Sequence, residues 1–231
     1  MQQSRDIVVL LPIKKNSARV INKNFRSFSG RPLFSWILDC LLSLEWIDLI
    51  LINTDARQLI YDSGFQQSDR ILIRDRDPDI CGDEISMNKV IANDLDFVNA
   101  NSYLMTHATN PLLSAKTIKG AYRNYLKGVR DGRSDSLLTV TRRQTRFYLA
   151  NGDPVNHDPN DLLPTQDLTP WYEENSCLYI FSKASFSRTQ SRIGDRPILH
   201  SIPLYESVDI DDEESWQLAE MLHQRATSPP I

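Results

Sequence analysis

An alternation constrains this chain more than any other feature. Over roughly the first 140 residues, short apolar runs rich in Ile, Val and Leu take turns with amphipathic stretches of helical spacing. Ile7-Val8-Val9-Leu10-Leu11-Pro12 is the first run, with no polar residue to mark a solvent face. A strand of that kind is buried on both sides, as in a parallel sheet covered by helices. Further strands are expected at 48–53, 70–74, 102–106 and 135–140. Helices are expected at 32–42 with Pro32 in the first turn, from about Ala56 behind a Thr54-Asp55 cap, at 87–98 behind Ser86, and at 114–127. Strands alternating with helices of this length make βαβ units, so the sequence predicts an α/β fold with a mainly parallel sheet.

The alternation stops near residue 141. Residues 146–170 are rich in Asp, Asn and Pro, and Asn151-Gly152-Asp153-Pro154 is a turn signal, so a hairpin and an extended arm are expected there. Strand character returns at 177–181 and 199–205. A last helix, 212–224, starts with Asp212 as cap and Glu213 and Glu214 in its first turn, and a loose tail follows from Thr227.

Composition removes several function classes. With 41% hydrophobic and 24% charged residues the chain is globular rather than disordered. Its 231 residues suit one large domain with an appendage. Three cysteines without CxxC spacing support neither a disulfide framework nor a zinc site. A formal charge of −4 argues against broad binding to nucleic acid. No apolar run approaches the roughly 20 residues of a membrane span. The start, Met1 to Asp6, lacks the basic-then-apolar order of a signal peptide, so a cytoplasmic location is expected. Only 8 glycines occur, and the first loop has none before Gly30, which excludes Walker A and GxGxxG phosphate cradles.

In open α/β sheets ligands bind beyond the carboxyl ends of the strands. After the first strand come Lys14, Lys15, Asn16, Ser17, Ala18, Arg19, Lys23 and Asn24. Cations with Asn and Ser side chains in one loop suit a triphosphate; the alternative is a solvated basic loop. His107 and Thr109 follow the fourth strand, Arg74 and Arg76 the third, and Asp83-Glu84-Ile85-Ser86 precedes a helix whose amides can hold an anion or simply be capped. In Val208-Asp209-Ile210-Asp211 a period of two puts both carboxylates on one face. Facing a basic loop, they suit Mg²⁺ bridging phosphate oxygens. The alternative, helix capping, needs only Asp212.

In order along the chain, these segments resemble the CMP-N-acylneuraminate (CMP-sialic acid) synthetases, a family of acylneuraminate cytidylyltransferases, and the chain reads as a divergent member. Residues 11–24 are similar to the opening IPARxxSKxxPxKN motif, Gly30-Arg31-Pro32-Leu33 to G-x-P-L, and Asn53-Thr54-Asp55 to S-T-D. Arg76 with residues 83–86 falls at the spacing of R…S-D-x-x-S. Residues 106–112 resemble L-Q-x-T-S-P-L, Glu174-Asn175-Ser176-Cys177-Leu178-Tyr179 resembles E-N-G-x-x-Y, and Ser207-Val208-Asp209-Ile210-Asp211 resembles S-V-D-I-D, followed by Trp216 and Ala219-Glu220.

The resemblance implies a single three-layer α/β/α, Rossmann-like nucleotidyltransferase domain over residues 1–231, with a protruding dimerisation arm at about 143–174 and a homodimer. It implies transfer from CTP to an acidic 2-keto sugar, giving a CMP-sugar and pyrophosphate with Mg²⁺. Pro12, Lys14, Asn16, Ser17, Arg19, Lys23, Asn24, Arg76 and Ser86 would meet the nucleotide. His107, Thr109, Asn175 and Tyr179 would meet the sugar, and Asp209 and Asp211 the metal. Lys14, Lys23 and Asp211 would act in the chemistry. The pattern departs where Lys14 replaces Arg, Ala18 replaces Lys, His107 replaces Gln, and Thr165 replaces the Arg of a Pro-Arg-Gln. Competing readings are a 3-deoxy-manno-octulosonate-type or other sugar nucleotidyltransferase, a glycosyltransferase with its DxD, and a noncatalytic nucleotide-binding homologue.

Overall fold

Every strand and helix expected in the alternating region forms in the computed structural model, which describes residues 5–17, 19–82 and 84–227. The strands are β1 (Arg5–Ile13), β2 (Ser27–Phe28), β3 (Arg31–Pro32), β4 (Leu49–Thr54), β5 (Ile71–Asp75), β6 (Ala100–Thr106), β7 (Ser136–Arg143), β8 (Trp171–Phe181) and β9 (Pro197–Ser201). The helices are α1 (Leu33–Leu42), α2 (Arg57–Asp62), α3 (Met87–Phe97), α4 (Ala115–Arg130), α5 (Lys183–Thr189) and α6 (Glu213–Thr227).

Seven strands form one sheet in the order β5-β4-β1-β6-β8-β7-β9. β5, β4, β1 and β6 run parallel, β8 is antiparallel to both its neighbours, and β7 and β9 are again parallel. Period two along β1 shows the layering. Ile7, Val9 and Leu11 pack with α1, α2 and α4 on one side. Val8 and Leu10 pack with α3 and α5 on the other. The sheet is thus the middle of three layers, and each face of β1 is dry because a helix covers it.

Several expectations are corrected. The loop after β1 holds a small antiparallel hairpin, β2–β3, turning through Ser29 (φ 48°) and Gly30 (φ 87°). A primed turn of that sort needs positive φ at both positions, which Gly tolerates best. Thr54 and Asp55 do not cap α2: Ala56 is the N-cap residue, Thr54 Oγ1 accepts from the Ala56 amide just before the helix, and Asp55 Oδ1 accepts from the Lys15 amide at 2.6 Å. The second helix on the α3 side of the sheet, α5, escaped the periodicity because it is short and mostly polar around Phe186; Ser182 caps it. The strand expected at 199–205 ends at Ser201, since Pro203 has no amide to continue a ladder and the chain turns into a 3₁₀ helix over Leu204–Ser207. α6 runs through Thr227, three residues further than expected, and the tail at 228–231 lies outside the described residues.

Between β7 and β8 the ladder continues beyond the sheet proper to the pair Arg143–Trp171, after a register shift between Leu138 and Val140. The segment beyond it folds back through isolated bridges, Tyr148–Pro154 and Asp158–Asp161, with Phe147 stacked on Trp171 at 5.5 Å.

Candidate active site

The carboxyl ends of the parallel strands lie level. Pro12 pairs with Asn53, Ile13 with Thr54, and Asn53 with Arg74. Residues that follow these strands therefore gather at one edge of the sheet, where they line a cavity of about 370 Å³. A cavity of that size suits a nucleotide-sized ligand.

One side of the cavity is the loop after β1. Pro12, Lys14, Ser17, Arg19, Lys23 and Asn24 all face it. The loop is held from behind: Asn24 Nδ2 donates to the Lys14 carbonyl at 2.8 Å, and the Asp55 bond to the Lys15 amide pins its start to β4. Asn16 is exposed and is not among the cavity-lining residues. Ala18, one of the departures from the family motif, lies outside the described residues.

Asp209 and Asp211 form the floor, although not on a strand. Residues 208–211 are extended but unpaired in the sheet, and a separate apolar cluster fixes them. Ile210 is fully buried among Val20, Phe28, Leu33, Trp216 and Ala219, with Val208 packed against them. Burying Ile210 is worth about 1.5–3 kcal/mol, and it forces the flanking carboxylates the other way. The Ile210 amide donates to the Thr109 carbonyl at 3.0 Å, and its carbonyl accepts from Lys23 Nζ. Asp212 caps α6, accepting from the Ser215 amide at 2.8 Å. Helix capping is thus accounted for without Asp209 or Asp211.

The two carboxylates differ. Asp211 Oδ1 pairs with Arg19 at 3.0 Å and Lys23 at 3.2 Å. Asp209 bonds the Thr109 side chain, while its Oδ1 is buried without a hydrogen-bond partner. Burial raises the Asp209 pKa, against the lowering from Thr109, and the Asp211 charge raises it further. A buried carboxylate oxygen without a donor is costly unless a cation completes it. With Asp211 beside it and phosphate oxygens to add, the pair fits a hard divalent ion. Among the described residues no cluster of three or more His, Cys, Asp or Glu could hold a metal unaided.

Arg76 and Met87 also line the cavity. Arg76 is clamped to Asn53, Nε to Oδ1 at 2.8 Å and a second nitrogen to the carbonyl at 3.0 Å. Asn53 is fully buried and donates in turn to Asp94 Oδ1 at 2.7 Å. Burial lowers the Arg76 pKa. Ser86 does not line the cavity; its hydroxyl accepts from the Asn88 amide and caps α3, with Met87 taking the cavity position. Asp83 lies outside the described residues.

The opposite wall carries His107, Ala108, Thr109, Ser176 and Arg192. Burial drives the His107 pKa down to about 3, and the nearby Arg192 charge lowers it too, so the ring is neutral. Arg192 stands 3.4 Å from Nε2. A guanidinium only donates, so Nε2 accepts and the ring proton sits on Nδ1. Tyr179 is fully buried behind this wall and is not among the lining residues; it reaches the cavity through Arg192, which bonds its hydroxyl at 2.9 Å and lies 3.8 Å above its ring. Asn175 is buried as well, its Oδ1 accepting from Thr139 and its Nδ2 donating to Thr141. It lines a second cavity of about 290 Å³, which shares Ser176, Asp209 and Asp211 with the first and adds Thr141, Arg143 and Glu174. Ser176 occupies the Gly position of the E-N-G motif with φ 57°, the left-handed conformation that Gly serves best. The sequence reading missed Arg192 altogether, because nothing local distinguishes it from the other arginines of 188–196.

A family model described as cytidylyltransferase matches residues 8–226. The chain belongs to the cytidylyltransferase family. Among curated relatives it is 22% identical over 226 residues to the pseudaminic acid cytidylyltransferase of Campylobacter jejuni, covering 93% of this chain and 95% of that protein. It is 25% identical over 225 residues to the CMP-N,N′-diacetyllegionaminic acid synthase of Legionella pneumophila, covering 94% and 95%. Among solved structures, a CMP:2-keto-3-deoxy-manno-octonic acid synthetase complexed with CTP shares the fold with TM-score 0.66 at 12% identity, covering 96% of this chain and 99% of that one. As a cytidylyltransferase the chain is a CTP-dependent transferase, which accounts for a cavity that combines a cationic loop with acid groups.

Proposed function

We propose that this cytidylyltransferase couples CTP to an acidic 2-keto sugar of the nonulosonate type, giving a CMP-sugar and pyrophosphate. The carrying observation is the convergence on one cavity of Lys14, Arg19 and Lys23 with the Asp209–Asp211 pair, one oxygen of which lacks any partner. In this reading the sugar's anomeric hydroxyl attacks the α-phosphorus in line with the departing pyrophosphate, and catalysis is positioning and charge neutralisation.

Lys14, Arg19 and Ser17 take the triphosphate, and Arg76 and Asn24 orient the nucleoside. Lys23 ties the phosphate loop to Asp211 and offsets charge on the leaving group. Asp209 and Asp211 would hold Mg²⁺, which when bound would supply neutralisation of phosphate charge. His107, Thr109 and Ser176 face the sugar, whose tail extends into the second cavity beside Asn175. The relatives named for sugar acids support this substrate class, and the need for CTP fits a cytoplasmic enzyme. Exposed Tyr148, Leu149, Leu162 and Leu163 between β7 and β8 support an arm that joins a homodimer.

Pyrophosphate release from CTP and Mg²⁺ with pseudaminic, N-acylneuraminic, N,N′-diacetyllegionaminic and 2-keto-3-deoxy-manno-octonic acids tests the reading. Turnover with at least one acid is expected. No turnover with any of them, together with no CTP binding by calorimetry, would sink it.

A further inference from the structure

Arg192 is the one cation that the wall opposite the phosphate loop presents to the cavity among its described lining residues. Its turn is built to hold it still. Gln190 ends α5 with φ 53°, and Gly194 lies so close to its neighbours that a Cβ there would sit 2.4 Å from Asp135 Oδ1 and Ser185 Oγ. The Gly194 amide donates to Ser136 Oγ at 2.9 Å, which fixes the turn to β7. The guanidinium is stacked on Tyr179 and bonded to its hydroxyl, while the other terminal nitrogen faces His107. The side chain is 18% exposed, and the carboxylate paired with it, that of Glu174, stands at 3.5 Å, long for an ion pair. A cation so oriented and so weakly neutralised is prepared for an anion from the cavity.

The triphosphate already has Lys14, Arg19 and Lys23 on the other side of the cavity. We propose that Arg192, set in place by Tyr179 and His107, receives the carboxylate of the sugar and makes an acid group a condition of turnover. The inference deepens the sugar-acid reading and rests on it. The Nδ1 proton of His107 supplies a second donor on the same wall. A neutral sugar would leave Arg192 desolvated without a partner, and a site rejects such a substrate more strongly than one that is merely too small. Tyr179 is a positioning residue in this arrangement.

The test compares wild type with Arg192→Met and Arg192→Lys in the full chain. It uses the acid of the panel that turns over fastest, the methyl ester of that acid, and CTP binding by calorimetry. For Arg192→Met the acid KM should rise roughly 10- to 100-fold, the size of one charge-assisted bond lost, and the preference for acid over ester should vanish. CTP binding should change less than about threefold, which also reports that the variant is folded. Arg192→Lys should fall between, since it keeps the charge but not the fork. Tyr179→Phe should raise the acid KM severalfold with kcat and CTP binding little changed.

An unchanged acid-over-ester preference in Arg192→Met with CTP binding intact would overturn the inference alone. So would a parallel loss of CTP and acid binding in both Arg192 variants, which would make the residue structural. If Arg192→Met does not fold, Arg192→Lys decides, and an undiminished preference there counts against the proposal. Failure of wild type to bind any acid in the presence of CTP would overturn the sugar-acid reading and this inference together.

Discussion

At the scale of single residues, the acids and the histidine of the cavity carry separable predictions. Asp209 keeps an unpartnered oxygen in a buried position, which costs the metal-free protein stability. Asp209→Asn should therefore melt at the same temperature as wild type or slightly higher without metal, yet lose metal-dependent turnover by roughly 1,000-fold, as removal of a transition-state charge partner does. Calorimetric melting with and without Mg²⁺, beside pyrophosphate release, checks both halves; a variant that melts lower and still turns over would refute the ligand role. His107 stays neutral to about pH 3, so it adds no limb to a pH–rate profile between pH 5 and 9. His107→Gln, which keeps an acceptor for Arg192 and a donor for the cavity, should hold kcat/KM within a few-fold. His107→Leu should lower it about 10- to 100-fold by leaving Arg192 without that acceptor. Steady-state kinetics across pH would show either failure.

At the scale of elements, β4, β5 and α3 meet in a buried polar relay. Asp94 on α3 accepts from Asn53 on β4, whose other amide atom accepts from Arg76 just after β5, and Arg74 pairs with Asp94 at 3.2 Å. Only 1% of Asp94 is exposed, and burial pushes its pKa up to about 6 against the lowering from Asn53 and Arg74. The folded value lies above the unfolded one, so the stability this group contributes is full below about pH 4 and is lost as pH rises through about 6. The swing is on the order of 3 kcal/mol for two units. Relative to Asp94→Asn, wild type should lose up to about that much unfolding free energy between pH 4 and pH 7 in urea titrations. A difference that does not change with pH would contradict the assignment. The alternating strands and helices were legible in sequence because their period is local. The relay was not, since Asn53 and Asp94 read locally as a strand end and a helix position, and only the sheet order brings them together.

At the scale of the whole molecule, the segment between β7 and β8 leaves Leu162 67% exposed, Leu149 57% and Tyr148 55%. Tyr148, Leu149, Val155, Leu162 and Leu163 are exposed together in this one segment, which supports the proposed dimer interface. In sedimentation experiments wild type should run at twice the chain mass of 26.6 kDa. Leu162→Glu combined with Leu149→Glu should shift it to the monomer while CTP binding persists, because the cavity residues lie elsewhere. A monomeric wild type would remove the arm's proposed role.

The sequence by itself determined the α/β architecture, the cationic loop after β1, and the facing of Asp209 and Asp211 around a buried Ile210. Each of these follows from the spacing of apolar and charged residues within a few positions, which local sterics and burial translate directly into structure. Only the tertiary structure decided that Met87 rather than Ser86 lines the cavity, that Tyr179 is buried beneath Arg192, and that Arg192 and His107, 85 positions apart, share one wall. Such contacts depend on the strand order β6-β8-β7 and on where the turn after α5 is pinned, and neither leaves a periodic trace in the chain.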